Sequence, residues 1–308
     1  SLSPGDYTIT GTRIMPDLTT TPLFLEEWRK PTNPPVWDQH PFVMNEGTPK
    51  PWVPLQVKGQ EILCTQRVYD FGKSLFVAQL TTLGKKYLTA PMTITINGDS
   101  IVKNLTEKDI VNHGDKAHIT REGIIGKVRL KTEMTMEFDG LLNVKLIFEP
   151  TDKAADIENM TLEIPFNAQY SKYCNAGKSW NSAASGSTRF FTDQPWVSDI
   201  FQDFAFWLGD EDSGFNFLAE NMRGWHCEDT ARSVMISLDA AGSRKAVFQL
   251  VDRPLKLKQA RIIEFAFMLT PSRPLNTAIS RFQAQDWQMW TGQYSKYFDY
   301  QDPKYAIH

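Results

Sequence analysis

From Lys127 to Phe138 the chain alternates without a break. Val128, Leu130, Thr132, Met134, Met136 and Phe138 fall on one side. Lys127, Arg129, Lys131, Glu133, Thr135 and Glu137 fall on the other. Successive side chains of a strand point to opposite faces, so this pattern fits a strand with one face in a core and one in water. Asp139-Gly140 follows, and both positions tolerate the positive φ that a two-residue hairpin turn demands. The return segment Leu141–Glu149 places Leu142, Val144, Leu146 and Phe148 on one face. The pattern predicts an antiparallel hairpin with Met134, Met136 and Leu146 buried and Lys127, Arg129 and Lys131 outside. A slip of one residue would invert every one of these assignments.

The same period recurs along most of the chain. Asn97-Gly98 predicts a second hairpin, joining Met92–Ile96 to Ser100–Leu105. Further strands are predicted at Tyr7–Ile14, Gln60–Phe71, Leu75–Leu83, Met160–Phe166, Phe204–Leu208, Phe215–Glu220, Val234–Leu238, Ala246–Val251 and Arg261–Leu269. Ala168–Pro195 is small and polar and reads as a long loop. Helical spacing occurs only near the end, where Trp287, Trp290, Tyr294 and Tyr297 could share one face of a short helix. Many strands with almost no helix predict an all-β fold, a large antiparallel β-sandwich. At 308 residues the chain can bury a sizeable core. Residues 1–55 carry ten prolines and predict a short strand followed by an extended segment, pinned to the domain by Trp28, Trp37 and Trp52. Residues 56–275 form the predicted sandwich, and 276–308 a tail or linker.

Several function classes fall away early. Lys+Arg number 33 against Asp+Glu 36, a formal charge of −3, which leaves no basic footprint for nucleic acid. No apolar run approaches the ~20 residues of a membrane-spanning helix. Cys64, Cys174 and Cys227 are widely spaced, without a CxxC, so no zinc ribbon or full disulfide framework is expected. Gly177-Lys178-Ser179 has the tail of a phosphate loop, but Lys172 stands where its first glycine belongs. Asp210, Asp212 and Gly214 resemble part of a calcium loop, but its sixth position is Phe215. His113 and His118 read as loop histidines. No cofactor or metal is expected.

What remains is an aromatic content of 19 Phe, 9 Tyr and 9 Trp beside scattered acids. A Trp face can stack on the apolar face of a pyranose, and a carboxylate accepts its hydroxyl hydrogens. Glu220 ends an aromatic strand and Trp225 follows in a stretch of poor strand formers. The candidate sugar contacts are Trp225, Glu220, Trp207, Arg223 and His226, with Trp225 expected on an exposed loop. A core Trp beside a surface Glu is the competing reading.

Several strings in order resemble the N-terminal β-sandwich region of glycoside hydrolase family 123-like proteins. They are Trp52-Val53-Pro54-Leu55-Gln56-Val57, Glu137-Phe138-Asp139-Gly140, Phe206 through Phe215, Glu220 through Trp225, and Leu269-Thr270-Pro271-Ser272-Arg273-Pro274. The resemblance implies a β-sandwich, with the super-sandwich of galactose mutarotase-like domains as one form. It also implies a following (β/α)8 barrel as partner. That barrel carries an adjacent Asp-Glu pair, and the family's activity is exo-acting β-N-acetylgalactosaminidase. Asp210-Glu211 is the one Asp-Glu dipeptide here, but it sits in a predicted hairpin turn, so the catalytic role is not carried onto it. The expected function is a non-catalytic, carbohydrate-associated module that shapes a cleft or binds glycan. The resemblance places it in a secreted or periplasmic bacterial setting. The alternatives are a self-contained epimerase or lyase with an acid/base pair on the sandwich, and a purely structural docking module.

Overall fold

The computed structural model describes residues 5–14, 20–30, 47–176, 189–190, 196–198, 205–219, 221–238 and 244–273. The chain divides into two compact units, Ser1–Glu46 and Gly47–His308. In the first, Gly5–Ile14 pairs antiparallel with Thr20–Lys30, with a register shift between Gly11 and Thr12. A second strand thus stands where the prolines predict an extended segment. Only Pro22 falls inside it, so most of its residues keep the N–H that a ladder needs. Trp37 and the side chain of Trp28 lie outside the described residues, as do Glu220 and the C-terminal residues 274–308 with their helically spaced aromatics.

The second unit is a large antiparallel β-sandwich. One layer is a ten-stranded sheet. Its central strands run Lys116–Ile125, Val128–Glu137, Leu142–Pro150, Arg261–Thr270, Gly214–Leu218, Ala205–Gly209 and Tyr173–Ala176. Facing it are two five-stranded sheets. One holds Gln56–Lys58, Glu61–Cys64, Arg67–Asp70, Gln79–Thr82 and Lys85–Lys86. The other holds Trp196–Ser198, Val234–Leu238, Arg244–Val251, Met160–Phe166 and Thr93–Ile96. Aromatic rings interdigitate between the layers: Phe217 meets Phe248 at 4.3 Å between centroids, Phe166 meets Phe215 at 5.0 Å, and Phe76 stacks on Phe265 at 6.3 Å. Helix is confined, among the described residues, to one 3-10 turn at Thr230–Arg232, and no helix there is long and apolar enough to cross a membrane.

The signature hairpin puts the predicted residues on each face, but three residues, 138–140, connect its strands where a two-residue turn at Asp139-Gly140 is predicted. Val128 pairs with Pro150 and Met136 with Leu142. Glu137 N–H donates to Leu141 O at 2.9 Å, and Gly140 adopts φ +85. Met134, Met136 and Leu146 are buried, and Lys127 and Arg129 are exposed. The hairpin lies at the centre of the sheet rather than at an edge.

Three local expectations change. Asn97-Gly98 does turn tightly, with Ile96 and Asp99 exchanging both backbone hydrogen bonds at 2.9 Å. Yet the hairpin stops there. Asn97 Oδ1 accepts the N–H groups of Glu158 and Asn159, Thr93–Ile96 pairs with Met160–Phe166, and Lys103–Glu107 crosses to Lys116–Ile125. Gln60–Phe71 is two strands, because Thr65 takes a left-handed φ of +51 and reverses the chain. The predicted loop Ala168–Pro195 contains the strand Tyr173–Ala176.

Arg67 ties the layers together. Its side chain is buried, and it donates to Asp139 O at 2.5 Å, Leu269 O at 3.1 Å and Ser272 O at 3.0 Å. Beside it Tyr69 Oη donates to Gly140 O and accepts from Leu269 N–H. Trp52 Nε1 donates to Ser272 O at 2.7 Å, with its ring edge-on to Phe138. Three of the family-like strings, around Trp52, Asp139-Gly140 and Leu269–Arg273, therefore meet at one polar clamp. Buried carbonyls need donors, and each one left orphaned would cost about 1–3 kcal/mol.

Candidate functional site

The outward face of the ten-stranded sheet is built by the polar half of the alternation. Thr135, Asn143, Ala266 and Leu218 form one cross-strand row. Glu133, Lys145 and Glu264 form the next row on one side. Trp207, Asn216 and Met268 form the next on the other. The first two rows line an open groove of about 480 Å³, with Leu141 and Asn221 at its margin. That volume lies within the ~300–1,000 Å³ of small-molecule sites.

Trp207 owes its position to two glycines. Phe206 and Leu208 point into the core, so Trp207 points out. Gly209 and Gly214 pair with each other on the same outward side. A Cβ on either would collide with the Trp207 ring, so the indole lies over bare backbone at both positions. Its edge is fixed by Nε1 donating to Thr270 Oγ1 at 3.1 Å. The side chain is half-buried. An indole seated flat and oriented by one hydrogen bond is the arrangement that a stacking platform requires.

Polar and apolar groups both line the groove, and two of its charged side chains, Glu133 and Lys145, are engaged. Lys131 Nζ lies 2.6 Å from one oxygen of Glu133, and Lys145 Nζ 3.6 Å from the other. The Lys131 hydrogen bond holds the Glu133 carboxyl below its ordinary value. Such a carboxylate is poorly suited to delivering a proton at neutral pH. Glu264 makes no ion pair among the described residues. Asn221 Oδ1 accepts the Arg223 N–H at 3.0 Å, and Thr135 Oγ1 meets His118 Nδ1 at 3.1 Å.

The Asp210–Gly214 turn is held as structure. Asp210 Oδ2 binds Lys85 Nζ at 2.6 Å, and Oδ1 accepts from Asp212 N–H, Ser213 N–H and Ser213 Oγ. Burial opposes the Asp210 charge, but Lys85 and the two N–H donors outweigh it and lower the pKa. Glu211 accepts from Tyr173 Oη at 2.7 Å and pairs with Lys172. The Tyr173 hydrogen bond leads the causes that pull its pKa down to about 2. Both acids stay ionised and partnered, so neither is poised as a general acid.

Of the five residues named from sequence, the four that the structure describes do not converge. Trp207 stands on the groove-bearing face. Arg223 is exposed next to Asn221 at the groove margin. Glu220 lies outside the described residues. His226 is half-buried and forms a parallel bridge to Val251. Trp225 is only 6% exposed and belongs to the hydrophobic core, which corrects the expectation of a ring on an exposed loop. The cause is local. Trp225 N–H bonds back to Met222 O, and Gly224, at φ +84, presses against the Ile262 backbone where a Cβ could not fit. The chain is thereby carried along the sheet rather than off its end. His118, expected in a loop, is exposed on the strand Lys116–Ile125.

Cys64 and Cys227 are equally unsuited to nucleophilic work. All three cysteines are unbridged. Burial pushes the Cys64 thiol up to about 11 and Cys227 to about 12, and Cys227 Sγ contacts Gln249 O at 2.8 Å.

A search of curated proteins returns no match to this sequence. Solved structures of similar form include an alpha-mannosidase from Enterococcus faecalis V583, at 10% identity and a TM-score of 0.45, covering 92% of this chain and 38% of that one. An alpha-galactosidase from Lactobacillus brevis is similar at 12% identity and a TM-score of 0.38, covering 88% of this chain and 39% of that one. A galactose mutarotase related enzyme from Lactobacillus acidophilus is similar at 9% identity and a TM-score of 0.38, covering 72% and 98%. The chain spans about two fifths of the length of the mannosidase and the galactosidase. A family model described as glycoside hydrolase 123, third domain, matches residues 55–226, more than half of the 308. The matched segment runs from Leu55 through the Arg67 clamp, the signature hairpin and the Trp207 platform, and the chain belongs to that family.

Proposed function

We propose that this chain is a carbohydrate-associated module, not catalytic by itself, that presents the outward face of its ten-stranded sheet to glycan. The observation that carries the reading is the Trp207 indole, laid over Gly209 and Gly214 and oriented by Thr270. A flat ring with polar groups around it suits a sugar, which has apolar C–H faces and a hydroxyl rim. Membership in a glycoside hydrolase domain family supports a carbohydrate setting. The engaged state of Glu133, Asp210 and Glu211 supports the non-catalytic part. The same family membership is the ground for proposing a (β/α)8 barrel partner in the full protein and a secreted or periplasmic location.

Two measurements test this. Trp207→Ala should fold and lose about tenfold or more in affinity for soluble polysaccharides in affinity electrophoresis, equivalent to ~1.4 kcal/mol. Unchanged retention in a folded variant would remove Trp207 from the site. In parallel, the chain should turn over no aryl glycoside. Turnover that vanishes in Glu264→Gln or Glu211→Gln would replace the module reading with an enzyme.

A further inference from the structure

We propose that the groove beside Trp207 is a second sugar subsite, and that the ligand is a neutral oligosaccharide of two or more rings rather than a sulfated or uronate-bearing one. This rests on the reading that the Trp207 face meets glycan.

The two features share one surface. Along the strand Arg261–Thr270, the outward residues are Glu264, Ala266, Met268 and Thr270. Thr270 anchors Trp207, while Glu264 and Ala266 line the groove. The indole lies over the Gly209 and Gly214 pair, in the row of Thr270, so from the Glu264 row to the ring is six residues of strand, on the order of 20 Å. One pyranose does not cover that distance, and a chain laid along the strand does. Leu218 and Ala266 give the path between them an apolar surface for C–H groups, and Asn216 lies beside the indole.

The charge pattern selects the ligand class. An anionic glycan needs an uncommitted cation, because sulfate and carboxylate groups are bound by paired Arg or Lys. The groove's one lysine, Lys145, shares Glu133 with Lys131. The Arg223 guanidinium is not among the groups lining the groove. The remaining carboxylate, Glu264, makes no ion pair among the described residues and repels an anion. A neutral sugar meets a suitable set of partners. Glu264 accepts hydroxyl hydrogens, and Asn143 and Asn221 both donate and accept. The Asn221 oxygen is already engaged by Arg223 N–H, which orients its amide nitrogen as the free donor.

The experiment is a binding titration of the full chain with neutral hexose oligosaccharides of one, two and four rings, and with sulfated and uronate-bearing chains of matched length. The parent protein should gain at least tenfold in affinity from one ring to four, and bind the neutral series tightest. Asn143 and Glu264 are exposed, so Asn143→Ala and Glu264→Gln should fold normally. In these variants the length-dependent gain should disappear while single-ring binding stays. Trp207→Ala should lose both. A gain that survives in both groove variants, or tighter binding of the sulfated series, overturns this inference and leaves the module reading intact. Failure of every sugar class to bind overturns the two together.

Discussion

Leu146→Asp is expected to give no folded protein, while Asn143→Asp, three residues earlier on the same strand, is expected to fold with the stability of the parent. Leu146 is fully buried, between Thr132 and Ile263 at the centre of the ten-stranded sheet. Removing the leucine loses its burial and leaves a cavity, about 2–5 kcal/mol by analogy with large-to-small core changes. The carboxylate arrives with no partner, and burying it adds several kcal/mol more or forces its protonation. A domain holds only about 5–15 kcal/mol of net stability, so the sum consumes most or all of it. Asn143 is exposed on the opposite face, where a substitution costs within about 0.5 kcal/mol. Soluble expression with circular dichroism and urea melts reads both. A cooperatively folded Leu146→Asp protein would show that the register of the signature hairpin is wrong.

Trp225→Ala should cost about 3–5 kcal/mol, the range for removing a large core aromatic. The ring is 6% exposed, and the turn that delivers it depends on Gly224 fitting against the Ile262 backbone. A milder loss is expected for Trp225→Phe, which refills most of the space. Equilibrium urea denaturation measures both. The contrary outcome is an alanine variant with parental stability and impaired glycan retention, which would return Trp225 to the surface and to the site.

Much of this architecture is legible in the alternation, because a period of two is imposed by backbone geometry and survives tertiary context. Lys116–Ile125 escaped it for a physical reason. Its inward positions are Ala117, Ile119, Arg121, Gly123 and Ile125, so a charged residue and a glycine interrupt the apolar face. Arg121 is tolerated there because Lys108 O, Thr120 O and Gln60 Oε1 accept from it and Phe71 lies beneath the guanidinium. Gly123 is required because Val102 fills the place of its side chain. Neither fact can be read before the partners are known. Arg67 was hidden in the same way.

The site was half legible. Trp207 stood out as an aromatic in a family-like string, and the glycines that seat it were visible only as turn residues. Glu133, Lys145, Asn143 and Glu264 look in sequence like any solvated strand face. Only the pairing of the strands Val128–Glu137, Leu142–Pro150 and Arg261–Thr270 gathers them into one groove. Trp225 misled because Gly224 signals a loop while its actual role is close approach to a neighbouring strand.

The central claim is that glycan meets the outward face at Trp207. The direct measurement is the indole N–H resonances of the tryptophans in a nitrogen-labelled protein, followed through titration with a neutral oligosaccharide that the chain binds. The Trp207 resonance, assigned by its absence in Trp207→Phe, should shift with the binding isotherm, while those of Trp52, hydrogen-bonded to Ser272 O, and core Trp225 stay in place. Saturable binding that leaves the Trp207 resonance unmoved would contradict the account.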